Sequence, residues 1–192
     1  HTLNVQQSLK KLLDGNKRCV VCKQENPRQD ARRRKEVSKG QKPFAVIVGC
    51  SDSRIPPNLI FDQGLGDLFV VRLAGNIIDN AALGSIEYAV EHLGTKLVMV
   101  LGHGKCGAVT AASQSADALG HVSTIVKAIQ PAVKKARKMQ GDLIENATRM
   151  NVSIMVKKIK SSKPILAEMV NKGEIEVIGA YFNIETGAVE LL

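Results

Sequence analysis

The amino-acid sequence predicts an α/β protein: a mostly parallel β-sheet of four strands, an added antiparallel edge strand, and helices flanking the sheet. Three observations lead to this prediction. Short, continuous runs of apolar and β-branched residues recur along the chain, as in strands that are buried on both faces. Segments with apolar residues at helical spacing separate these runs, which indicates parallel strands. A turn near the end of the chain joins the last two runs as a hairpin, which adds the antiparallel edge.

The elements follow one another in a simple order. A first helix is predicted over residues 4–18 from apolar residues at helical spacing, namely Leu3, Leu9, Leu12 and Leu13. A polar, basic segment then runs to Lys42. The four parallel strands are predicted over residues 44–48, 68–71, 97–101 and 175–183, and the fifth strand over 189–192 after a turn at Thr186 and Gly187. The later helices are predicted over residues 79–93, 106–116 and 121–172, the last of them broken near Gly141 and Pro164. No repeat or linker interrupts this order, so residues 1–192 are expected to form one domain.

Composition narrows the function classes. Of the 192 residues, 44% are hydrophobic and 23% are charged, which is ordinary for a globular protein and argues against disorder or a coiled coil. The longest apolar runs are far shorter than the roughly 20 residues of a membrane helix. With no Trp, two Tyr and four Phe, the chain lacks aromatic residues for a surface that stacks nucleic-acid bases. We expect a cytoplasmic protein with no nucleic-acid or membrane partner, although the start at His1 leaves open a removed targeting segment.

The net charge of +9 is concentrated in two clusters of basic residues. The first comprises Arg28, Arg32, Arg33, Arg34, Lys35, Lys39 and Lys42, and the second Lys134, Lys135, Arg137 and Lys138. Such clusters can bind nucleic acid or an anionic membrane. Glu25, Asp30 and Glu36 interrupt the first cluster, and no aromatic residue lies among its bases. These features favour the alternative, a solvated helix face.

Cys19 and Cys22 form a C-x-x-C motif that is weak on its own. A second metal site, a disulfide and two plain thiols are all compatible with it. No second C-x-x-C follows, and the pair lies on or just after the first helix instead of at a redox-active turn. We therefore favour plain thiols.

Unusual residues follow two of the predicted strands. GCSDSR contains Cys50 and follows the first strand, and GHGKCG contains His103 and Cys106 and follows the third. Sites in open α/β sheets form at the carboxyl ends of strands, so neighbouring strands would bring these side chains together. Two thiolates and one imidazole suit zinc, leave its fourth position open for water, and disfavour magnesium or calcium.

Asp52 and Arg54 lie in the first of these loops. An unpaired buried charge is costly, so we expect the carboxylate and the guanidinium to pair with each other.

These segments together resemble the β-class carbonic anhydrases. The resemblance rests on CSDSRIPP, GDLFVVRLAGN, SIEYAVEHLG, LGHGKCGAV and the closing VIGAYFNIETGAVELL, and it extends from the first helix to the C-terminus. Leu73 departs from it, since the family usually has Asn after the arginine of the second segment. Cys19 and Cys22 are not part of the family pattern.

The resemblance implies Cys50, His103 and Cys106 as ligands of one Zn²⁺ per subunit, with Asp52 and Arg54 as the dyad that orients the attacking oxygen. It implies reversible hydration of CO₂ to bicarbonate and a proton, by zinc-hydroxide attack on CO₂. It also implies a homodimer or homotetramer with its sites at the subunit interface. In that arrangement residues 1–42 form an N-terminal helical arm and basic segment that embraces a partner, and residues 43–192 form the α/β zinc core.

Three further residues resemble the plant-type members of the family, namely Gln41, Phe69 and Tyr88. The chain lacks the Trp of members with a closed, bicarbonate-inhibited state, so the open type is expected, with Asp52 paired to Arg54. Gln41, Phe69, Ala74 and Tyr88 are then candidates for the substrate pocket, with Tyr88 reaching in from the partner. His92 lies four residues after Tyr88 on the same helix face and is a candidate for proton transfer. Phe69 and Ala74 fit a plain core equally well, and His92 fits a solvated helix equally well.

Two other functions fit the same residues. One is a hydrolase of CS₂ or COS on the same scaffold, and the other is a basic zinc-binding module that contacts nucleic acid. A narrow tunnel would favour the first, and steeply salt-dependent DNA binding the second.

Overall fold

The computed structural model describes residues 3–192, so His1 and Thr2 of the predicted domain lie outside the described residues. The strands are β1 (Ala45–Gly49), β2 (Leu68–Arg72), β3 (Leu97–His103), β4 (Glu176–Phe182) and β5 (Val189–Leu191). The helices are α1 (Val5–Val20), α2 (Ala31–Val37), α3 (Pro57–Ile60), α4 (Asn80–Glu87), α5 (Gly107–Gln114), α6 (Val122–Ala136), α7 (Leu143–Lys160) and α8 (Ile165–Asn171). The predicted fold class is confirmed.

The five strands form one sheet in the order β2-β1-β3-β4-β5. The first four are parallel, and β5 pairs antiparallel with β4. Gly49 at the end of β1 pairs with Arg72 of β2 on one side and with Leu101 of β3 on the other. The carboxyl ends of the three neighbouring strands therefore meet at one edge of the sheet.

Alternate residues of the central strands bury their side chains on opposite faces of the sheet. Ala45 and Ile47 of β1 join a cluster that contains residues of α1, α5 and α6. Val46 and Val48 join a second cluster with residues of α4, α7 and α8. Since β1 and β3 are covered on both faces, they carry the continuous apolar runs that the sequence shows.

Two short helices lie in segments that were not predicted to be helical. α2 falls in the basic segment, where Asp30 caps it by accepting a hydrogen bond from the Arg33 backbone N–H at 2.8 Å. None of its residues is buried, in agreement with a solvated helix face. The first basic cluster is nevertheless not wholly solvated, because its Arg28 forms an ion pair with buried Asp67 at 2.5 Å. The other short helix, α3, begins at Pro57.

The helix predicted over residues 79–93 has a change of winding. After α4 the chain continues through a π-helical turn at Tyr88–His92, in which the Leu93 N–H donates to the Tyr88 carbonyl at 3.3 Å. The wider turn still keeps the rings of Tyr88 and His92 on one side, with centroids 5.5 Å apart.

The first helix packs against the chain's own core. Leu12 is fully buried there, and the Asn16 amide donates to the carbonyls of Ile60 and Gly187 at 3.2 and 2.8 Å. The Asn16 side-chain oxygen accepts from the Val189 N–H at 2.9 Å. One buried side chain thus joins α1 to α3 and to the β4–β5 hairpin. None of the helices within residues 3–192 is both long and apolar enough to cross a bilayer.

Replacing Asn16 is expected to destabilise the fold. Asn16→Ala leaves two carbonyls and one N–H near α1 without their partner, and we expect the free energy of unfolding to fall by about 1–3 kcal/mol. Urea unfolding measures the loss. Lys17→Ala is the matched control, since the Lys17 side chain is 79% exposed. Equal unfolding midpoints for the two variants would contradict this role of Asn16.

Candidate metal centre

Three potential metal ligands meet at the carboxyl edge of the sheet. Cys50 directly follows β1, His103 is the last residue of β3, and Cys106 precedes the first turn of α5. Because β1 and β3 are neighbours, the ligand atoms of the three side chains all lie within 4.8 Å of one another. Their residues are 4%, 0% and 0% exposed, so the donors are removed from solvent.

The local structure orients the His103 ring. Its Nδ1 lies 2.9 Å from the Gly104 carbonyl oxygen, which can only accept, so Nδ1 carries the proton. Nε2 therefore has a free lone pair, and it is buried without a hydrogen-bond partner among residues 3–192. A buried nitrogen left in this state is typical of a metal ligand whose other nitrogen is held by a backbone carbonyl.

The surroundings of the two sulfurs favour a thiolate. The Gly75 N–H donates to the Cys50 Sγ at 3.1 Å. The Cys106 side chain, and after it His103, lowers the pKa of Cys50 to about 4 against the opposing effect of burial. The same contact between the sulfurs raises the pKa of Cys106, while backbone N–H groups at the start of α5 oppose that rise. A divalent cation bound between the two sulfurs would favour the thiolate form of both.

These residues fit a zinc ion. Zinc binds sulfur at about 2.3 Å and imidazole nitrogen at about 2.0 Å, so its tetrahedral ligands stand a little under ~4 Å apart. The donor atoms of Cys50, His103 and Cys106 all lie within 4.8 Å of one another, so small side-chain shifts would bring them to that spacing. Two thiolates and one neutral imidazole also form a donor set that zinc prefers over magnesium or calcium.

Asp52 lies beside this group and is held by Arg54. The Arg54 Nε and Nη2 donate to the two oxygens of the Asp52 carboxylate at 2.9 and 2.7 Å, and the Arg54 backbone N–H donates to one of them at 3.0 Å. The side-chain hydrogen bonds from Arg54 hold the pKa of Asp52 well below its usual value. The other Asp52 oxygen lies 3.8 Å from the His103 Nε2. An ionised acceptor therefore stands next to the atom that would bind the metal.

The structure adds supporting residues to which sequence reasoning gave no role. The Arg72 guanidinium donates to the backbone carbonyls of Cys50 and Asp52 at 2.8 and 2.6 Å, which fixes the loop between them. Gly75, the donor to Cys50, has φ +66°, and a Cβ there would lie 2.6 Å from Ile129. The Asn151 amide donates to the Gly75 carbonyl at 2.8 Å. A charged residue at the end of β2, in register with Gly49, is the one signal that could have pointed to Arg72.

The remaining candidates lie at different distances from the metal centre. Ala74 is half-buried and adjoins Gly75, so it lies beside Cys50. The rings of Phe69, on the edge strand β2, and of Tyr88 and His92 form a row, with centroids 6.2 Å and 5.5 Å apart. Phe69 pairs with Val46, three residues before the carboxyl end of β1. The row therefore stands back from the metal ligands of its own chain.

Gln41 lies at the other end of β1 from Cys50. It is exposed and lines a surface cavity together with residues of α2. The five residues of β1 separate the two ends by roughly 16 Å, so Gln41 lies far from the metal ligands of its own chain.

The residues that depart from the family pattern, Leu73, Cys19 and Cys22, do not belong to the group of potential metal ligands. Leu73 is half-buried and packs against the apolar clusters on both faces of the sheet. Cys19 and Cys22 carry no disulfide, and Cys22 is exposed. Within residues 3–192 the C-x-x-C motif belongs to no group of three potential metal ligands.

Comparison with known proteins gives a consistent result. A family model described as Carbonic anhydrase matches residues 45–189. A carbonic anhydrase of Mycolicibacterium smegmatis is 39% identical over 186 residues, which cover 95% of this chain and 90% of the relative. Tetrameric β-carbonic anhydrase structures from Sordaria macrospora share 28% identity at a TM-score of 0.74, over 82% of this chain and 84% of theirs. The β-carbonic anhydrase CafA of Aspergillus fumigatus shares 27% identity at a TM-score of 0.75, over 96% and 89% of the two chains.

Removing one sulfur tests the metal centre. Cys106→Ser replaces a thiolate by a neutral hydroxyl, and we expect the purified variant to lose most of its zinc. Elemental analysis measures the metal content per chain. Cys22→Ser is the matched control, because Cys22 is an exposed thiol outside the group. Full zinc content in Cys106→Ser would remove Cys106 from the ligand set.

Proposed function

The chain belongs to the β-carbonic anhydrase family, and from that premise we propose that it catalyses the reversible hydration of carbon dioxide to bicarbonate and a proton, with one zinc ion per subunit. The buried group of Cys50, His103 and Cys106 is the observation that carries the proposal. Zinc bound there would keep one position for water and would lower the pKa of that water to supply the nucleophile, although two thiolates would lower it less than three imidazoles do.

Asp52 orients the attacking oxygen. Its carboxylate accepts a hydrogen bond from that oxygen and so directs a lone pair toward the carbon of CO₂. Arg54 keeps the carboxylate charged through two side-chain hydrogen bonds and prevents its rotation. The Lys105 carbonyl in turn accepts from the Arg54 Nη2 at 3.2 Å, which ties the pair to the loop of His103 and Cys106. This pairing also supports assignment to the open, plant-type members of the family.

A second subunit completes the substrate pocket. Ala74 supplies an apolar wall next to the metal ligands of its own chain. Gln41, Phe69 and Tyr88 lie away from those ligands, at the far end of β1 or along the free edge of β2. A two-fold arrangement across that edge would bring them to the partner's metal centre, where Gln41 donates a hydrogen bond to bicarbonate. The tetrameric relatives of Sordaria macrospora support an oligomer of this kind.

His92 passes the released proton to solvent. Its side chain is 63% exposed, and its ring lies against that of Tyr88, which adjoins the proposed pocket. An imidazole can both accept and release a proton, so an exposed ring in this position suits proton export.

Loss of the Asp52 charge should reduce turnover and leave zinc in place. Asp52→Asn keeps the shape of the side chain but removes the anionic acceptor, so we expect CO₂ hydration to fall by about 10–100-fold. Stopped-flow hydration assays and metal analysis measure the two properties separately. Asp117→Asn, the same change at an exposed carboxylate, should retain activity. A rate within about twofold of the wild type would exclude this role of Asp52.

The shared pocket predicts complementation between two inactive subunits. Asp52→Asn inactivates the site at the metal ligands of its own subunit. A Gln41→Ala, Tyr88→Ala double variant leaves its own metal ligands and Asp52 intact but impairs the site of its partner. Random pairing after co-refolding should restore about a quarter of the wild-type sites, because one site in each mixed dimer is intact. Stopped-flow assays of the mixture provide the measurement. Activity no higher than the sum of the two parents would show that each chain builds its site alone.

The proposed proton transfer predicts a selective loss in the His92→Ala variant. The maximal rate should fall by at least about tenfold, whereas kcat/KM should change little, because proton export follows the attack on CO₂. A small imidazole buffer should restore part of the rate. His121→Ala, which removes another exposed imidazole, is the control. Equal losses in kcat and kcat/KM without rescue by the buffer would leave His92 as a solvated helix residue.

A further inference from the structure

A cavity of about 410 Å³ lies beside the loop that carries His103 and Cys106. Gly104 and Lys105 of that loop form one side, whereas none of the three metal ligands lines it. Its volume falls in the range of sites for small molecules. The proposed hydration reaction gives this cavity no role.

Tyr181 places an unpaired hydroxyl at this cavity. The residue is only 7% exposed, and its hydroxyl forms no hydrogen bond with any of residues 3–192. The hydroxyl stands next to Gly104, where a Cβ would lie 2.8 Å from the Tyr181 oxygen. Since both residues line the cavity, the polar end of the ring faces it. The hydroxyl is open to the cavity, so it is free to form a hydrogen bond with a ligand bound there.

The charged side chains around the cavity are mostly acidic. Asp142, Glu145 and Glu185 line it against one cation, Lys105, which is bonded to Glu185. One oxygen of each carboxylate already has a partner. Asp142 accepts from the Glu145 backbone N–H at the N-terminus of α7, Glu145 pairs with Arg149, and Glu185 pairs with Lys105. The second oxygen of each carboxylate has no hydrogen-bond or ion-pair partner within the described part of the chain. The free acceptors therefore favour a positively charged ligand.

The spacing of these groups disfavours a bare metal ion. Within residues 3–192, the Cys50, His103 and Cys106 group is the one set of three potential ligands close enough to share an ion. The cavity also has apolar walls, formed by Ile144, Ile184 and the Tyr181 ring. Burial, and next to it the Glu145 carboxylate, raises the pKa of Tyr181, and the Arg149 guanidinium against its ring opposes that rise. An ion with a carbon body fits these walls better than a hydrated metal.

We propose that this cavity binds a small organic ammonium ion. The carboxylates and the Tyr181 hydroxyl hold its charged group, and Ile144 and Ile184 contact its carbon chain. Because the Lys105 carbonyl accepts a hydrogen bond from Arg54, a ligand in the cavity touches the same short segment that supports the metal centre.

Binding of n-butylammonium to the zinc-loaded protein tests the site, with 1-butanol as the neutral probe of equal chain length. Saturation-transfer NMR titrations should show saturable binding of n-butylammonium and much weaker binding of 1-butanol. Glu145→Gln should lower the affinity for n-butylammonium by about two- to fivefold, the range for a partly exposed ion pair. Glu168→Gln, the same change on α8, should leave its affinity unchanged. Tyr181→Phe should weaken it while preserving the fold.

Tyrosine fluorescence locates the bound probe. The chain has two Tyr and no Trp, so in a Tyr88→Phe background Tyr181 is the sole strong emitter. Its emission should change along the same saturation curve as the NMR signal. The proposal is overturned by equal affinities for the two probes, by an unchanged affinity in Glu145→Gln, or by emission that does not respond to saturating n-butylammonium.

Discussion

The parallel pairing of β1 with β3 is the interaction on which the candidate active site depends. It places Cys50, just after β1, beside His103, the last residue of β3. The pairing is itself determined by burial, since alternate side chains of both strands fill the two apolar clusters on opposite faces of the sheet. A slip of one residue would exchange the faces and carry the donor side chains away from each other. The chemistry at the edge of the sheet therefore rests on the apolar core beneath it.

Burying two sulfurs and a carboxylate requires nearby compensation. Arg54 provides it for Asp52 by a bidentate contact, and Arg72 provides it for the backbone by holding the carbonyls of Cys50 and Asp52. Two planar guanidinium groups thus determine the position of one short loop, a task that suits Arg better than Lys because each group donates two bonds in fixed directions. The Gly75 N–H adds a direct donor to sulfur. In this way the anionic site is stabilised before any metal is considered.

The sequence was most informative where one strong local pattern dominates. Continuous apolar runs located every strand of the sheet to within a few residues, and the residues after two of them pointed to Cys50, His103 and Cys106. Contacts between distant segments left no such pattern. Asn16, which joins residues 171 and 173 positions further along the chain, looks like any polar helix residue until the fold is known. The helix α2 was hidden by its basic composition, because no apolar face marks its period. Tyr181 sits in a predicted strand, and only the packing around Gly104 shows that its hydroxyl is unpaired.

Three contacts join the segment from His103 to Cys106 to its surroundings, and a fourth lies within it. The His103 ring donates to the Gly104 carbonyl, the Gly104 N–H donates to Phe182 of β4 at 3.0 Å, and the Lys105 carbonyl accepts from Arg54. The Cys106 carbonyl accepts from the next helical turn. Gly104 must also lack a side chain, because the Tyr181 hydroxyl occupies that space. The segment is bonded on one side to Arg54 of the carboxylate–guanidinium pair and on the other to β4, so it cannot move without breaking these hydrogen bonds. These bonds keep His103 and Cys106 oriented, so a displacement of Gly104 or Lys105 would displace two of the three potential metal ligands with it.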